Sequence, residues 1–146
     1  MGRRRPYRML VLLSIVLLFV FSGCINPFHS NGERIYRTAT SSSGQPIIPE
    51  RFFMPMMRAA CVNCHGPQGQ GGNIFVMMYR YDVPNITWPE LTGPHEDHQP
   101  YTEETVKQAI TQGIDPAGNP LEYPMPRWRI SPQDLDDLVS FLKTLK

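Results

Sequence analysis

The chain has 146 residues, room for one domain plus a targeting segment. Fifteen prolines and eleven glycines point to a loop-rich domain with a modest core, which a large apolar group bound within it would complete. Four of the fourteen Lys and Arg fall in the first eight residues and none of the thirteen Asp and Glu does, so the remainder carries a net charge of −3; with no basic stripe, that argues against nucleic acid as a partner.

Residues 1–23 read as an export signal. Arg3, Arg4, Arg5 and Arg8 form a basic n-region, and Met9 to Phe21 is apolar apart from Ser14. Such a run makes a good h-region and falls short of the ~20 residues a membrane span needs. Ser22-Gly23-Cys24 resembles the bacterial lipobox and departs from it at Phe21, where Leu is usual. The resemblance implies a lipid on Cys24, the first residue of the mature chain; an uncleaved anchor is the alternative. Residues 24–31 then form a tether. Glu33-Arg34-Ile35-Tyr36 opens a helix, or else Ile35-Tyr36 is a local hydrophobic anchor. Thr38 to Pro49, rich in Ser, Thr, Gly and Pro, is expected as an inserted loop. Arg51 to Ala60 is expected as a second short helix broken near Pro55.

Cys61-Val62-Asn63-Cys64-His65 carries the chemistry. Two thiols three apart lie on one helical face, and an imidazole follows the second. Both thiols can add across the vinyl groups of one porphyrin, with His65 presented to the iron, so the pentapeptide reads as a site for one covalent haem c. A thioredoxin-type site or half of a zinc site are the rivals. Zinc wants a second paired spacing, and the only other histidines are His29, His95 and His98. With Cys61 and Cys64 on haem and Cys24 on lipid, no thiol is left for a disulfide.

Gly66 to Gly72 is a glycine-rich stretch that lets backbone pass close to a haem edge. Asn73 to Arg80 is either a buried strand-like segment or a wall of the haem pocket, with Met77 and Met78 as core packing or as iron ligands. Trp88 to Pro100 reads as an irregular solvated loop, His95 and His98 keeping bis-histidine ligation in view. Thr102 caps a helix with Glu103 and Glu104 in its first turn and Val106, Ala109 and Ile110 on its buried face; Gly113 ends it. Asp115 to Pro120 is a turn-rich loop. In Tyr123-Pro124-Met125-Pro126-Arg127-Trp128, two prolines stiffen the backbone around one thioether, which marks Met125 as the sixth iron ligand. Tyr123, Arg127 and Trp128 are candidates for covering propionates, with core packing as the other reading of Trp128. Ser131, Pro132 and Asp134 start a last helix. Its apolar stripe is Leu135, Leu138, Val139, Leu142 and Leu145, widened by Phe141, while Asp136, Asp137 and Lys143 face water.

The haem pentapeptide with Gly66, the Pro-Met-Pro segment and the final amphipathic helix together resemble a class I mono-haem c-type cytochrome of bacterial lipoprotein type, over residues 32–146. The resemblance implies a small all-α fold of three to five helices wrapped around one covalently attached haem. It also implies that Gly32, Ile35 and Tyr36 open an N-terminal helix that crosses the C-terminal one. In Val83-Pro84-Asn85-Ile86-Thr87 it implies a Pro84 carbonyl that accepts the Nδ1 proton of His65. The function implied is electron transfer with His65 and Met125 on iron, and not catalysis on a small-molecule substrate. Partners are then exported or membrane redox proteins, on the periplasmic side, with Cys24 tied to the membrane; Ile25 after it leans toward an outer membrane. A haem subunit of a multi-subunit oxidoreductase, docking through the 38–50 insertion, and a ligand-binding haem sensor are the alternatives.

Overall fold

The computed structural model describes residues 27–50, 59–76, 78–94 and 99–146. The signal segment, Cys24, the 51–58 stretch with Phe52, Phe53 and Met57, Met77, His95 and His98 lie outside these residues.

The first helix, α1 (Asn31–Thr38), starts where Ser30 Oγ accepts from Glu33 N at 3.0 Å. It ends at Ala39, whose left-handed backbone (φ 50°) returns an N–H to Ile35 O. The last helix, α5 (Pro132–Leu142), is capped in the same way by Ser131. The two cross, and Gly32 shows how closely: a Cβ there would stand 2.0 Å from Asp137 O and 2.8 Å from Phe141 Cβ. Tyr36 and Phe141 meet with ring centroids 5.3 Å apart. The expected crossing of terminal helices is therefore present. Ile35, Tyr36, Leu138, Val139, Leu142 and Leu145 are buried, while Phe141 is half-buried.

The inserted loop is built into the domain. Its Ser41-to-Gln45 turn closes on Ser41 N→Gln45 O at 2.9 Å, and Ile47 is buried with its N–H on Ala39 O. Strand β1 (Ile48–Glu50) pairs antiparallel with β4 (Arg127–Arg129) in the register Ile48↔Arg129, Pro49↔Trp128, Glu50↔Arg127. Ser41 Oγ and Asn31 Nδ2 both donate to Asp134 Oδ1, which ties the insertion to α1 and to the start of α5.

Between these lie α2 (Cys61–His65), the hairpin β2 (Gly72–Val76) and β3 (Tyr79–Val83), α3 (Trp88–Thr92) and α4 (Glu103–Thr111). Three expectations are corrected. The fold is not all-α: two two-stranded sheets, β1–β4 and β2–β3, accompany five helices among the described residues. The apolar 73–80 run is strand-like as expected but not buried: it forms a hairpin in which Phe75, Met78 and Tyr79 are 73%, 92% and 69% exposed. The stretch after Thr87 is not irregular throughout, since Trp88–Thr92 is a helix and Trp88 N donates to Leu145 O. On α5, Asp136 pairs with Lys107, Asp137 accepts from Asn31, and Lys143 pairs with Glu103 and lies 5.6 Å from the Trp88 ring centroid, so these three do more than face water.

Candidate functional site

Helix α2 is a single turn, and its own spacer residue starts it. Asn63 Oδ1 accepts from Ala60 N at 2.8 Å, satisfying a donor that the helix leaves open. Cys61 and Cys64 thus stand on one face, both unpaired and half-buried. Burial pushes the Cys61 thiol up to about 12 and raises that of Cys64. Dithiol redox sites shift their attacking thiol in the opposite direction.

His65 is 6% exposed. Its Nδ1 lies 3.1 Å from Pro84 O. A carbonyl only accepts, so the proton sits on Nδ1 and Nε2 keeps its lone pair. Burial lowers the His65 pKa, and the Pro84 carbonyl pulls partly the other way. The ring is therefore neutral, oriented and ready to ligate a metal.

The glycines after it make this approach possible. At Gly71 (φ 68°) a Cβ would stand 2.2 Å from Val83 O and 2.6 Å from Pro84 O. Its absence lets the end of β3 and Pro84 just after it lie against the loop, whose Gly71 N donates to His65 O. From α1, Tyr36 Oη donates to Gly66 O at 2.6 Å, fixing the end of α2. Burial raises the Tyr36 pKa, so the phenol stays protonated as that donor.

Met125 is half-buried and packs against the same core cluster as Cys61. Its N–H donates to Glu122 O and its carbonyl accepts from Arg127 Nη1 at 2.6 Å. The Arg127 guanidinium, a propionate candidate on the sequence, also donates through Nη2 to Gly113 O at 3.0 Å and Leu121 O at 3.1 Å. Trp128 is a core residue, 7% exposed. Tyr123 is 63% exposed and meets Tyr81 of β3 edge-on at 5.6 Å between centroids. That contact links the strand leading to Pro84 with the loop carrying Met125. The roles of Gly71, Arg127 and the Tyr36 hydroxyl were not foreseen. Only the Gly-x-Gly-Gly spacing hinted at one of them.

These residues fit a covalently attached haem: two free thiols on one turn, an imidazole with an open Nε2, and glycine-lined backbone beside it. Among the described residues no group of three or more His, Cys, Asp or Glu is placed to hold a metal ion, whereas a zinc site takes four ligands. Neither a curated protein nor a solved structure matches the chain. The family model for cytochrome c matches residues 53–146, well over half of the chain and including α2, the Met125 loop and α5. The chain therefore belongs to the cytochrome c family and binds haem c covalently, with Cys61, Cys64 and His65 at the spacing this attachment requires.

Proposed function

We propose that this chain is a single-haem electron carrier whose iron is held by His65 Nε2 and Met125 Sδ, exported and tethered to a membrane through a lipidated Cys24. Haem-based electron transfer itself follows from the family. The haem supplies the Fe(II)/Fe(III) couple. The chain's residues hold and shield it: Cys61 and Cys64 fix its position, and Pro84 keeps the His65 tautomer that leaves Nε2 open. Met125 would hold the iron together with His65, so no site would remain for a substrate, and such a Met/His pair would raise the potential of the couple.

The observation that carries this reading is the His65 Nδ1 to Pro84 O contact at 3.1 Å, because it orients the imidazole as a ligand before any iron is bound. The test is spectroscopic. The oxidised protein should show the weak near-infrared sulfur-to-iron band, and Met125→Ala should abolish it. A band that survives assigns the sixth position to another residue. The reduced protein should give no CO difference spectrum; a strong one would make it a ligand-binding sensor. In the insertion that the subunit alternative invokes, Ser41 and Ile47 are buried while Ser42 to Pro46 and Ile48 are exposed, a surface a partner subunit would use.

A further inference from the structure

We propose that Arg127 is a positioning residue for Met125, stapling the sixth-ligand loop shut; the idea rests on the reading that Met125 ligates iron. One guanidinium joins three pieces of backbone. Nη1 takes Met125 O at 2.6 Å, and Nη2 takes Gly113 O at 3.0 Å and Leu121 O at 3.1 Å. Gly113 is the glycine just past the end of α4, and Leu121 closes the turn-rich loop by donating its own N–H to Gly113 O at 2.7 Å. The 113–125 excursion is therefore gathered onto a single side chain.

Gly113 is shaped for that side chain. A Cβ there would stand 1.9 Å from Arg127 Nε and 2.1 Å from Cζ, so the guanidinium lies directly on the glycine backbone. Gly113 also has φ 68°, a conformation that suits glycine. The main chain of Arg127 is held in turn, since it pairs with Glu50 in the β1–β4 ladder. The insertion thus acts through a short relay: β1 fixes β4, β4 fixes Arg127, and Arg127 fixes the Met125 carbonyl.

The chemistry suits a permanent lock. A guanidinium carries five donors in a rigid fork, and the three carbonyls can only accept. A thioether is a weak neutral ligand, so its occupancy depends on how little the loop gains by leaving. Holding the loop in its bound conformation lowers that gain.

The experiment is an imidazole titration of the ferric, haem-loaded protein, followed by loss of the near-infrared band and by the Soret shift. The variants are Arg127→Met, Arg127→Lys, Arg129→Met and Met125→Ala, each checked for haem content and far-ultraviolet circular dichroism. Losing three charge-assisted hydrogen bonds, Arg127→Met should reach half-displacement at an imidazole concentration about tenfold lower than the parent. Arg127→Lys should fall between, because an ammonium lacks the fork. If Arg127→Met yields no haem protein, Arg127→Lys carries the test alone. Arg129, on the same strand but paired with Glu50 at the surface, controls for charge, and its variant should titrate like the parent. The proposal is overturned if the folded Arg127 variants titrate like the parent, or if Arg129→Met shifts as far as they do. A band that survives Met125→Ala instead sinks the axial-ligand reading, and this proposal with it.

Discussion

Gly71 carries more of the site than its size suggests. Its missing Cβ leaves room for Val83 O and Pro84 O, and Pro84 O in turn orients His65. Gly71→Ala forces a choice between a 2.2 Å contact and withdrawal of that segment, at φ 68° where any side chain is strained. We expect a loss of about 1–3 kcal/mol in urea unfolding and disappearance of the slowly exchanging His65 Nδ1 proton from the NMR spectrum. An unchanged proton signal would show that Pro84 reaches His65 without the glycine. At this scale the sequence was legible where the chemistry is local. The two thiols and the imidazole are neighbours in the chain, and the prolines around Met125 act on its own backbone. The backbone contacts of Arg127 were not legible because two of its partners, Gly113 and Leu121, lie 14 and 6 residues away and are bare carbonyls with no side-chain signature.

Among the elements, α4 and α5 declared themselves, while α3 and the insertion did not. The stripe of α5 and the caps Thr102 and Ser131 are periodic or short-range signals, and both helices formed as expected. A run of Ser, Thr, Gly and Pro is the composition of a solvated loop and of a packed strap alike. What makes it a strap is pairing with β4 and burial of Ile47, neither of which has a local cause. Three measurements test the terminal crossing. Leu142→Ala should cost about 2–5 kcal/mol as a large-to-small change at a site 4% exposed. Gly32→Ala should cost at least about 1–3 kcal/mol, since its Cβ meets backbone of α5. Lys143→Ala should cost about 0.5–1 kcal/mol, the size of a surface ion pair with Glu103 plus an exposed cation–π contact with Trp88. Equal losses at Leu142 and Lys143 would mean that α5 is held by its surface and not by its stripe.

The cap of α5 also has a pH signature. Burial raises the Asp134 pKa, but hydrogen bonds from Ser41, Asn31 and Ser131 outweigh it, and the net shift is downward. A depressed carboxyl pKa contributes stability that is fully present above the unfolded value near 3.8 and is lost as pH falls through the lower folded value. The stability difference between the parent and Asp134→Asn should therefore be constant from pH 7 to about 5 and shrink as pH drops below about 4. Ser41→Ala, which removes one donor, should move that decline to higher pH. A difference that stays flat down to pH 2.5 or so would show that the carboxylate is not what Ser41 and Asn31 are holding.

For the whole molecule, the distribution of the core says what the haem must do. The most completely buried side chains are Tyr36, Ile35 and Val139, all on the α1–α5 side. The same cluster takes in Ile47, Val106, Ile110 and Trp128, while Cys61, Ile86 and Met125 packed against it are only half-buried and Tyr123 stands exposed. A chain this short buries a limited share of its surface, so a domain whose apolar groups around Cys61 and Met125 are only half-covered is marginal. The two thioethers are what keep the missing part of the core in place. The double variant Cys61→Ala/Cys64→Ala removes that attachment while exchanging each thiol for a smaller apolar group, a small packing loss on its own. It should retain helical far-ultraviolet circular dichroism from α1 and α5 and lose the sharp calorimetric transition. A cooperative domain absorbs about 0.7 kcal/mol per residue at its midpoint, and the variant should fall well short of that. A full-sized two-state transition in the haem-free variant would mean that the protein core suffices and that haem is a passenger in a domain already complete.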